Sequence, residues 1–518
     1  MDVTRRHLLL QGLAAGAVLA LPHRALAVAP AGATKVALVI GNGRYKDGPL
    51  RNPANDARAI GAALAPLGFA VTVKTDVGRA EMTAAVQAHV AELARGKAVG
   101  VFYYAGHGVQ LAWRNYMLPV DATIEAVGDI PTQGVEVAGL LDGLGRAANA
   151  LNVIILDACR DNPFGSLAGL DQRGLSQMDA PRNTLLAYAT SPGNVASDGA
   201  GANGLYTEHL LREIPAKDAK VEDVFKRVRL GVRRQSNGAQ VPWESTSLEE
   251  DFYFVPPARA VEPSEAERER RFADELALWE TAQGAGDPAP LEAYLRRHPS
   301  GRFAELAQLQ LDRLLALRGE RKMPIASAEG NPFTRGSAAA NTAWRVGDSY
   351  TYRVMDRLAG AEERPAAFTV IEVTEHEVRF GNGMAMDLLG NTLRRPGGRV
   401  YTPNQLEPVE YAVGKRWRTE FRINTPKGAE GTTTMDLRIA ARESVTVPAG
   451  TFNAFRIEAR GVFSDQVHRH AEETLMKKWS APDRLRLPVA LDEIRQRGGR
   501  NGRTTLSRRW ELVAYHEA

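Results

Sequence analysis

Between residues 34 and 255 the chain alternates short, unbroken apolar runs with stretches of helical period. Lys35–Gly41 is the first such run, closed by glycine, and Phe69–Val73 and Val99–Tyr104 are the next two. Unbroken apolar runs of this length mark strands covered on both faces rather than strands with one wet side. Between them, Ile60, Leu64 and Leu67 keep helical spacing after Asn52-Pro53, a cap residue and a proline suited to a helix start. Met82, Val86, Val90 and Leu93 do the same over 79–93. The order strand, helix, strand, helix, strand predicts a parallel sheet with helices on both faces. Downstream, Trp113–Pro119 predicts a small strand, 135–146 a helix, and Val153–Cys159 and Thr184–Ala189 two more strands. Helices over 205–214 and 221–234 follow, and Asp251–Phe254 closes the unit near residue 255. Residues 160–182 have no period, and a loop of this length inside a domain points to function.

The pattern then changes twice. Phe272, Leu276 and Trp279, then Leu291, Tyr294 and Leu295, then Phe303, Leu306, Leu309 and Leu314 give three apolar faces over 263–317, read as a small helical hairpin or spacer with its turn at Pro299-Ser300-Gly301. Residues 318–342, rich in Gly, Ala, Ser and Asn, read as a linker. From Trp344 onward short alternating runs separated by turn residues predict an all-β domain over 343–518, a sandwich or a partly open barrel.

Composition refines this picture without changing it. At roughly 150 residues per domain, 518 residues make about three domains, and 44% hydrophobic with 24% charged residues is ordinary globular material. A net charge of +4 with no basic run gives no case for a nucleic-acid partner. Residues 1–27 read as an export signal: Arg5-Arg6 precede a moderately apolar run, and Ala25-Leu26-Ala27 is an A-x-A cleavage site. The arginine pair favours the twin-arginine type over the general secretory type. The expected product begins near Val28 and is periplasmic or secreted and soluble. No later stretch is apolar enough to span a membrane.

The candidate chemistry lies at two strand ends. Val99–Tyr104 runs into Ala105-Gly106-His107-Gly108, and Val153–Leu156 runs into Asp157-Ala158-Cys159. Two adjacent parallel strands ending at one sheet edge bring His107 and Cys159 together, and the carboxyl ends of strands are where sites lie in open α/β sheets. Cys159 is the only cysteine, so it has no disulfide partner within the chain. A cysteine beside a histidine is a thiol nucleophile with its base; taken alone, a lone cysteine is a small buried hydrophobe. His468 and His470 read as solvated, no metal-ligand cluster stands out, and no cofactor is implied. Gly41-Asn42-Gly43 lacks the spacing of a nucleotide-binding loop.

Tyr104-Ala105-Gly106-His107-Gly108 and, fifty-two residues after the histidine, Asp157-Ala158-Cys159-Arg160-Asp161 resemble the paired motifs of the caspase clan. Leu50–Ala57, Asn203–Thr207 and Asp251–Phe254 look more like metacaspases and bacterial caspase-like peptidases than like animal caspases. The resemblance covers about residues 34–255. It implies a cysteine endopeptidase in which His107 deprotonates Cys159 and the backbone N–H groups of Gly108 and Cys159 hold the oxyanion. It requires no third side chain. It also implies an acidic pocket that selects Arg or Lys before the cut, with Asp56 and Asp157 as the matching carboxylates. Two neighbouring buried carboxylates resist ionising together, and a substrate guanidinium relieves this while pairing bidentately. Without the resemblance, Asp56 is an acid at a helix start and Asp157 a strand-end residue bonding loop backbone.

Ala105, where many metacaspases carry Ser, and Asp161 depart from the pattern. Arg160, Arg173 and Arg182 make the loop after the cysteine a candidate for self-cleavage. Calcium dependence is common in metacaspases, but no ligand set here can be matched to it. Val445–Phe452, followed by Phe455–Glu458, resembles a strand-turn-strand motif of bacterial envelope proteins. It implies a lipid, glycan or protein partner for the β domain, beside a protein or peptide substrate for the α/β domain. The rival readings are a catalytically silent caspase-like scaffold acting as an envelope interaction protein, and a thiol hydrolase or transferase of another type.

Overall fold

The structure, a computed structural model, describes residues 33–518 except 97, 160–166, 168–173, 198, 200, 258–263, 324, 427–429, 466–469 and 500–501. The proposed export signal, Arg160, Arg173 and His468 therefore lie outside the described residues, and for Cys159 and His470 the backbone alone is described.

The first domain is a mixed sheet. Its strands are β1 (Lys35–Gly41), β2 (Phe69–Thr75), β3 (Val99–Leu111), β4 (Arg114–Met117), β5 (Val135–Glu136), β6 (Leu151–Cys159), β7 (Thr184–Tyr188) and β8 (Trp243–Thr246). The main path runs β2-β1-β3-β6-β7-β8. It is parallel from β2 to β7, and β8 joins antiparallel. Its helices are α1 (Pro53–Leu64), α2 (Arg79–Ala94), the one-turn α3 (Ile130–Gln133), α4 (Val137–Ala147), α5 (Leu205–Glu213) and α6 (Val221–Gln235). Right-handed crossovers put α1 and α2 on opposite faces; α1 then meets α5, and α2 meets α4. With both faces covered, β3 is buried from Val99 to Gln110, which is why the run reads as unbroken apolar sequence. Asn52 occupies the N-cap of α1, but its side chain makes no cap hydrogen bond.

Helices α7 (Glu265–Gln283), α8 (Pro288–Arg297) and α9 (Ala304–Leu317) form the helical unit, with Phe272, Trp279, Tyr294, Phe303 and Leu311 in its core. Ser264 caps α7 by accepting from the Glu267 N–H, and Asp287 caps α8 by accepting from that of Ala289. The unit is bolted to α6: the buried Arg233 guanidinium pairs with Asp312 and Glu320.

Beyond α9 the chain does more than connect. Its stretch 326–337 is pinned to the first domain. Asn331 donates to the Gln177 carbonyl at 2.8 Å, Asp179 N–H donates to the Phe333 carbonyl at 2.9 Å, and Thr334 and the Arg335 N–H donate to the Asp179 carboxylate at 2.6 and 2.8 Å. Phe333 packs on the first domain's core with the Arg114 guanidinium 5.3 Å from its ring centre. The composition that suggested a flexible tether instead supplies small side chains that lie close to a wall: Ala326 fills the place a Cβ would take on Gly193. A short strand, β9 (Ser337–Ala339), then pairs with Glu410–Ala412.

The C-terminal domain is all-β, as the alternation predicts, and it closes on itself. Of the thirteen strands in its sheet, the two-residue Ala361–Glu362 is a side branch, which leaves a ring of twelve. Ser349–Asp356 pairs on one side with Ala366–Val373 and on the other with the last strand, Gly502–His516, completing the antiparallel ring. A closed ring removes the two free edges that a sandwich or open barrel would keep. Strands of 18 and 16 residues, Glu430–Val447 and Gly450–Asp465, flank the Pro448-Ala449 turn, so the envelope-type motif is a hairpin within the barrel wall.

Candidate active site

The parallel ladder between β3 and β6 is regular from Val99↔Leu151 to Ala105↔Asp157, then slips to Gly108↔Cys159. Gly106 and His107 on β3 thus face Ala158 alone on β6. This is a bulge, the device that re-aims a side chain where pairing is interrupted. Within this bulge His107 leaves the strand alternation at the level where β6 presents Cys159. The glycine after it is sterically required: a Cβ on Gly108 would sit 2.6 Å from the Ala158 carbonyl oxygen.

The His107 side chain is buried. Its Nε2 is 2.6 Å from the Gly48 carbonyl oxygen, in the loop after β1. A carbonyl only accepts, so Nε2 carries the hydrogen and Nδ1 is the basic nitrogen of the neutral ring. Tyr45, from the same loop, packs on the imidazole with ring centres 4.5 Å apart. The loop is itself anchored, with Gly43 and Arg44 N–H groups donating to Asp76 at 2.8 and 2.9 Å.

Asp56 and Asp157 arrive from α1 and β6 and are both buried. They converge on the opening turn of α5. Asp56 accepts from Asn203 Nδ2 at 2.9 Å and from the Gly204 N–H at 3.0 Å; Gly204 is the N-cap of α5. Asp157 accepts from Thr207 Oγ1 at 2.9 Å. Tyr103 lies beside Asp157: its hydroxyl is 2.6 Å from Thr207 Oγ1 and 3.5 Å from Asp157. Burial first, then the charge of Asp157, then that of Asp56 push the Tyr103 hydroxyl pKa well above its ordinary value. Both carboxylates thus bond to the first turn of α5, whose N-terminus is a favourable end for negative charge.

The family model described as Caspase domain matches residues 34–253. Those residues form a caspase-like α/β domain. Two curated relatives match over a similar length of the chain. Mucosa-associated lymphoid tissue lymphoma translocation protein 1 of Homo sapiens is 28% identical over 242 residues, 45% of this chain and 28% of the relative. Its Mus musculus homolog is 29% identical over 245 residues, 46% of this chain and 28% of the relative. The chain therefore spans under a third of the length of these relatives. The matched family is one of cysteine peptidases.

Several parts of the caspase domain site were not legible as such in the sequence. Asn203 and Thr207 fall in a stretch that carries the family resemblance, but only the fold shows their contacts with the two carboxylates. Tyr45 and Gly48 sit in a loop without periodicity, and no local signal marks them. Asn115, on β4, is bonded to the segment after the cysteine loop: its side chain donates to the Ser176 carbonyl at 2.9 Å and accepts from the Ser176 N–H at 2.8 Å. The segment 326–337 bonds to Gln177 and Asp179 immediately beyond. Arg182 is exposed and pairs with Glu249 at 3.3 Å.

Among the described residues no group of three or more His, Cys, Asp or Glu side chains could hold a metal ion. A cavity of about 2140 Å³ lies between α6, β8, the segment 322–339 and the barrel. His107, Asp56 and Asp157 are absent from its lining.

Proposed function

We propose that the chain is a caspase-like cysteine endopeptidase that uses Cys159 as nucleophile and His107 as base, and that it cleaves after Arg or Lys. The observation that carries this reading is the bulge that turns His107 out of β3 beside the backbone of Cys159. Nδ1 of His107 takes the thiol proton, the thiolate attacks the peptide carbonyl, and the imidazolium returns the proton to the leaving amine. Backbone N–H groups of Gly108 and Cys159 receive the oxyanion. The Gly48 carbonyl favours the imidazolium by accepting from Nε2–H, and the face of Tyr45 beside the ring favours a cation there.

Asp56 and Asp157 form the floor of the pocket for a basic side chain. Both are covered in this arrangement, so an arriving guanidinium takes over from Asn203 at Asp56. Residues 1–27 act as a twin-arginine export signal in this reading, and the barrel recruits a lipid, glycan or protein of the cell envelope.

The test compares the protein with Cys159→Ala and His107→Ala on matched peptides ending in Arg, Lys or Asp before the reporter, with calcium and with chelator. Cleavage after Arg and Lys that both substitutions abolish is the expected result. Cleavage after Asp would keep the dyad and refute the acidic pocket. A folded protein with a titratable thiol and no cleavage would make it a scaffold.

A further inference from the structure

We infer that the hydroxyls of Tyr45 and Tyr104 are a matched pair of positioning groups that hold the His107 peptide in its bulge and thereby aim the imidazole. The inference rests on the reading of His107 as the base. Tyr45 comes from the loop after β1 and Tyr104 from β3, three residues before the histidine. Their oxygens lie 3.2 Å apart, and both side chains are buried.

The two hydroxyls close a ring of hydrogen bonds around one peptide. The His107 N–H donates to Tyr45 Oη at 3.0 Å, and Tyr104 Oη donates to the His107 carbonyl at 2.8 Å. On the other side, Tyr45 Oη donates to the Leu118 carbonyl at 2.9 Å, and the Leu118 N–H donates to Tyr104 Oη at 3.1 Å. Tyr104 Oη also lies 2.9 Å from the Leu118 carbonyl, and the Leu118 N–H also donates to the His107 carbonyl at 3.0 Å; each hydroxyl has one proton, so with Tyr45 serving Leu118 that of Tyr104 is left for His107. Tyr45 Oη thus holds the His107 N–H, and Tyr104 Oη shares the His107 carbonyl with the Leu118 N–H. A bulge interrupts the ladder and withdraws His107 from its pairing to β6; the two hydroxyls, with the Leu118 N–H, supply the partners that the strand no longer does.

The same oxygens explain the glycine before the histidine. A Cβ on Gly106 would lie 2.6 Å from Tyr45 Oη and 2.7 Å from Tyr104 Oη. Glycine is needed there because the hydroxyls occupy that volume. Tyr45 contributes twice, since its ring also lies against the imidazole. The loop after β1 thus delivers the ring face, one hydroxyl and the Gly48 carbonyl together, and these bear on both the main chain and the side chain of one residue.

Tyr45→Phe and Tyr104→Phe each remove one oxygen and leave the aromatic packing in place. A reacting geometry displaced by a fraction of an ångström predicts a fall in kcat of roughly 10- to 100-fold with KM little changed. The double variant should cost less than the two single losses combined, because the oxygens belong to one network. The decisive readout is the His107 ring-nitrogen NMR signals of the full chain. In the parent they should report one neutral tautomer with the hydrogen on Nε2, and in either Phe variant a mixture or a shifted pair. Tyr116→Phe, a buried tyrosine of the same apolar cluster, is the control for packing and should leave these signals unmoved.

Unchanged His107 ring signals in a folded Tyr45→Phe and a folded Tyr104→Phe protein would overturn the inference, with or without a loss of kcat. If instead the parent protein cleaves nothing and its Cys159 alkylation rate ignores His107→Ala, the peptidase reading fails. The ring signals still decide the positioning claim in that case.

Discussion

Asp157 and Thr207 meet side chain to side chain at 2.9 Å across fifty residues of sequence. The bond fastens the strand that ends in Cys159 to the first turn of α5, where Asp56 is also held through Asn203 and Gly204. If this acidic floor receives a basic side chain, Asp157→Asn and Asp56→Asn should each lower kcat/KM for Arg-ending peptides by at least about 30-fold. That is the equivalent of about 2 kcal/mol for removing one partner of a buried charged pair. Alkylation of Cys159 by a small reagent should be unaffected. Equal kcat/KM in parent and variants would place the basic subsite elsewhere.

Gly108 allows β3 and β6 to approach where the ladder resumes. In Gly108→Ala the new methyl would meet the Ala158 carbonyl and come within 3.1 Å of Leu175 Cδ2. The strands must part, and the Gly108 N–H moves from the place assigned to the oxyanion. The expected loss is about 10²- to 10³-fold in kcat, with thiol reactivity toward a small alkylating reagent largely kept. Single-turnover peptide cleavage beside alkylation kinetics separates the two effects.

Phe333 ties residues outside the caspase domain to the segment that follows its cysteine loop. It is partly buried against the core and carries the Arg114 contact, so Phe333→Ala should destabilise by roughly 2–3 kcal/mol, below the value for a fully buried phenylalanine. Gln177 and Asp179 are held from outside while Ser176 next to them is bonded to Asn115 on β4. Loosening the attachment should therefore also lower peptidase activity. Thermal unfolding and peptide turnover on the same variant check both; full activity at lowered stability would make the attachment purely structural.

Glu222, in the first turn of α6, has its pKa raised to about 7, first because of burial and then because of the nearby charge of Asp251; Lys220 and Lys226 oppose this. Its Oε2 is shut from solvent and has no hydrogen-bond partner among the described residues. The folded state holds this proton more tightly than the unfolded chain, so stability is highest when the group is protonated. It falls as pH rises from the ordinary glutamate value of 4.5 to about 7 and then levels off. The span corresponds to up to about 3 kcal/mol. Glu222→Gln should flatten the pH dependence of the unfolding midpoint over that window, and an unchanged profile would mean that the carboxylate is solvated.

The sequence by itself determined the sheet, because unbroken apolar runs and helical periodicity are local records of burial on two faces and on one. It also nominated the chemistry, since Cys159, His107, Asp56 and Asp157 all stand at strand ends or helix starts. The domain match over 34–253 agrees with the reading of the fold. The tertiary structure alone decided how those residues are aimed. A slip of one residue between β3 and β6, two tyrosine hydroxyls fifty-nine positions apart and a carbonyl on a pattern-free loop are relations between distant segments, and no local propensity encodes them. The closure of the barrel is of the same kind: Ser349–Asp356 and Gly502–His516 read as ordinary alternating strands, and only their meeting turns an open sheet into a ring. The attachment of 326–337 escaped the sequence for the opposite reason. Gly, Ala, Ser and Asn are what a flexible tether uses, and they are also what lies flat against a neighbouring surface; the difference rests entirely on whether Asp179 and Gln177 are there to be bonded.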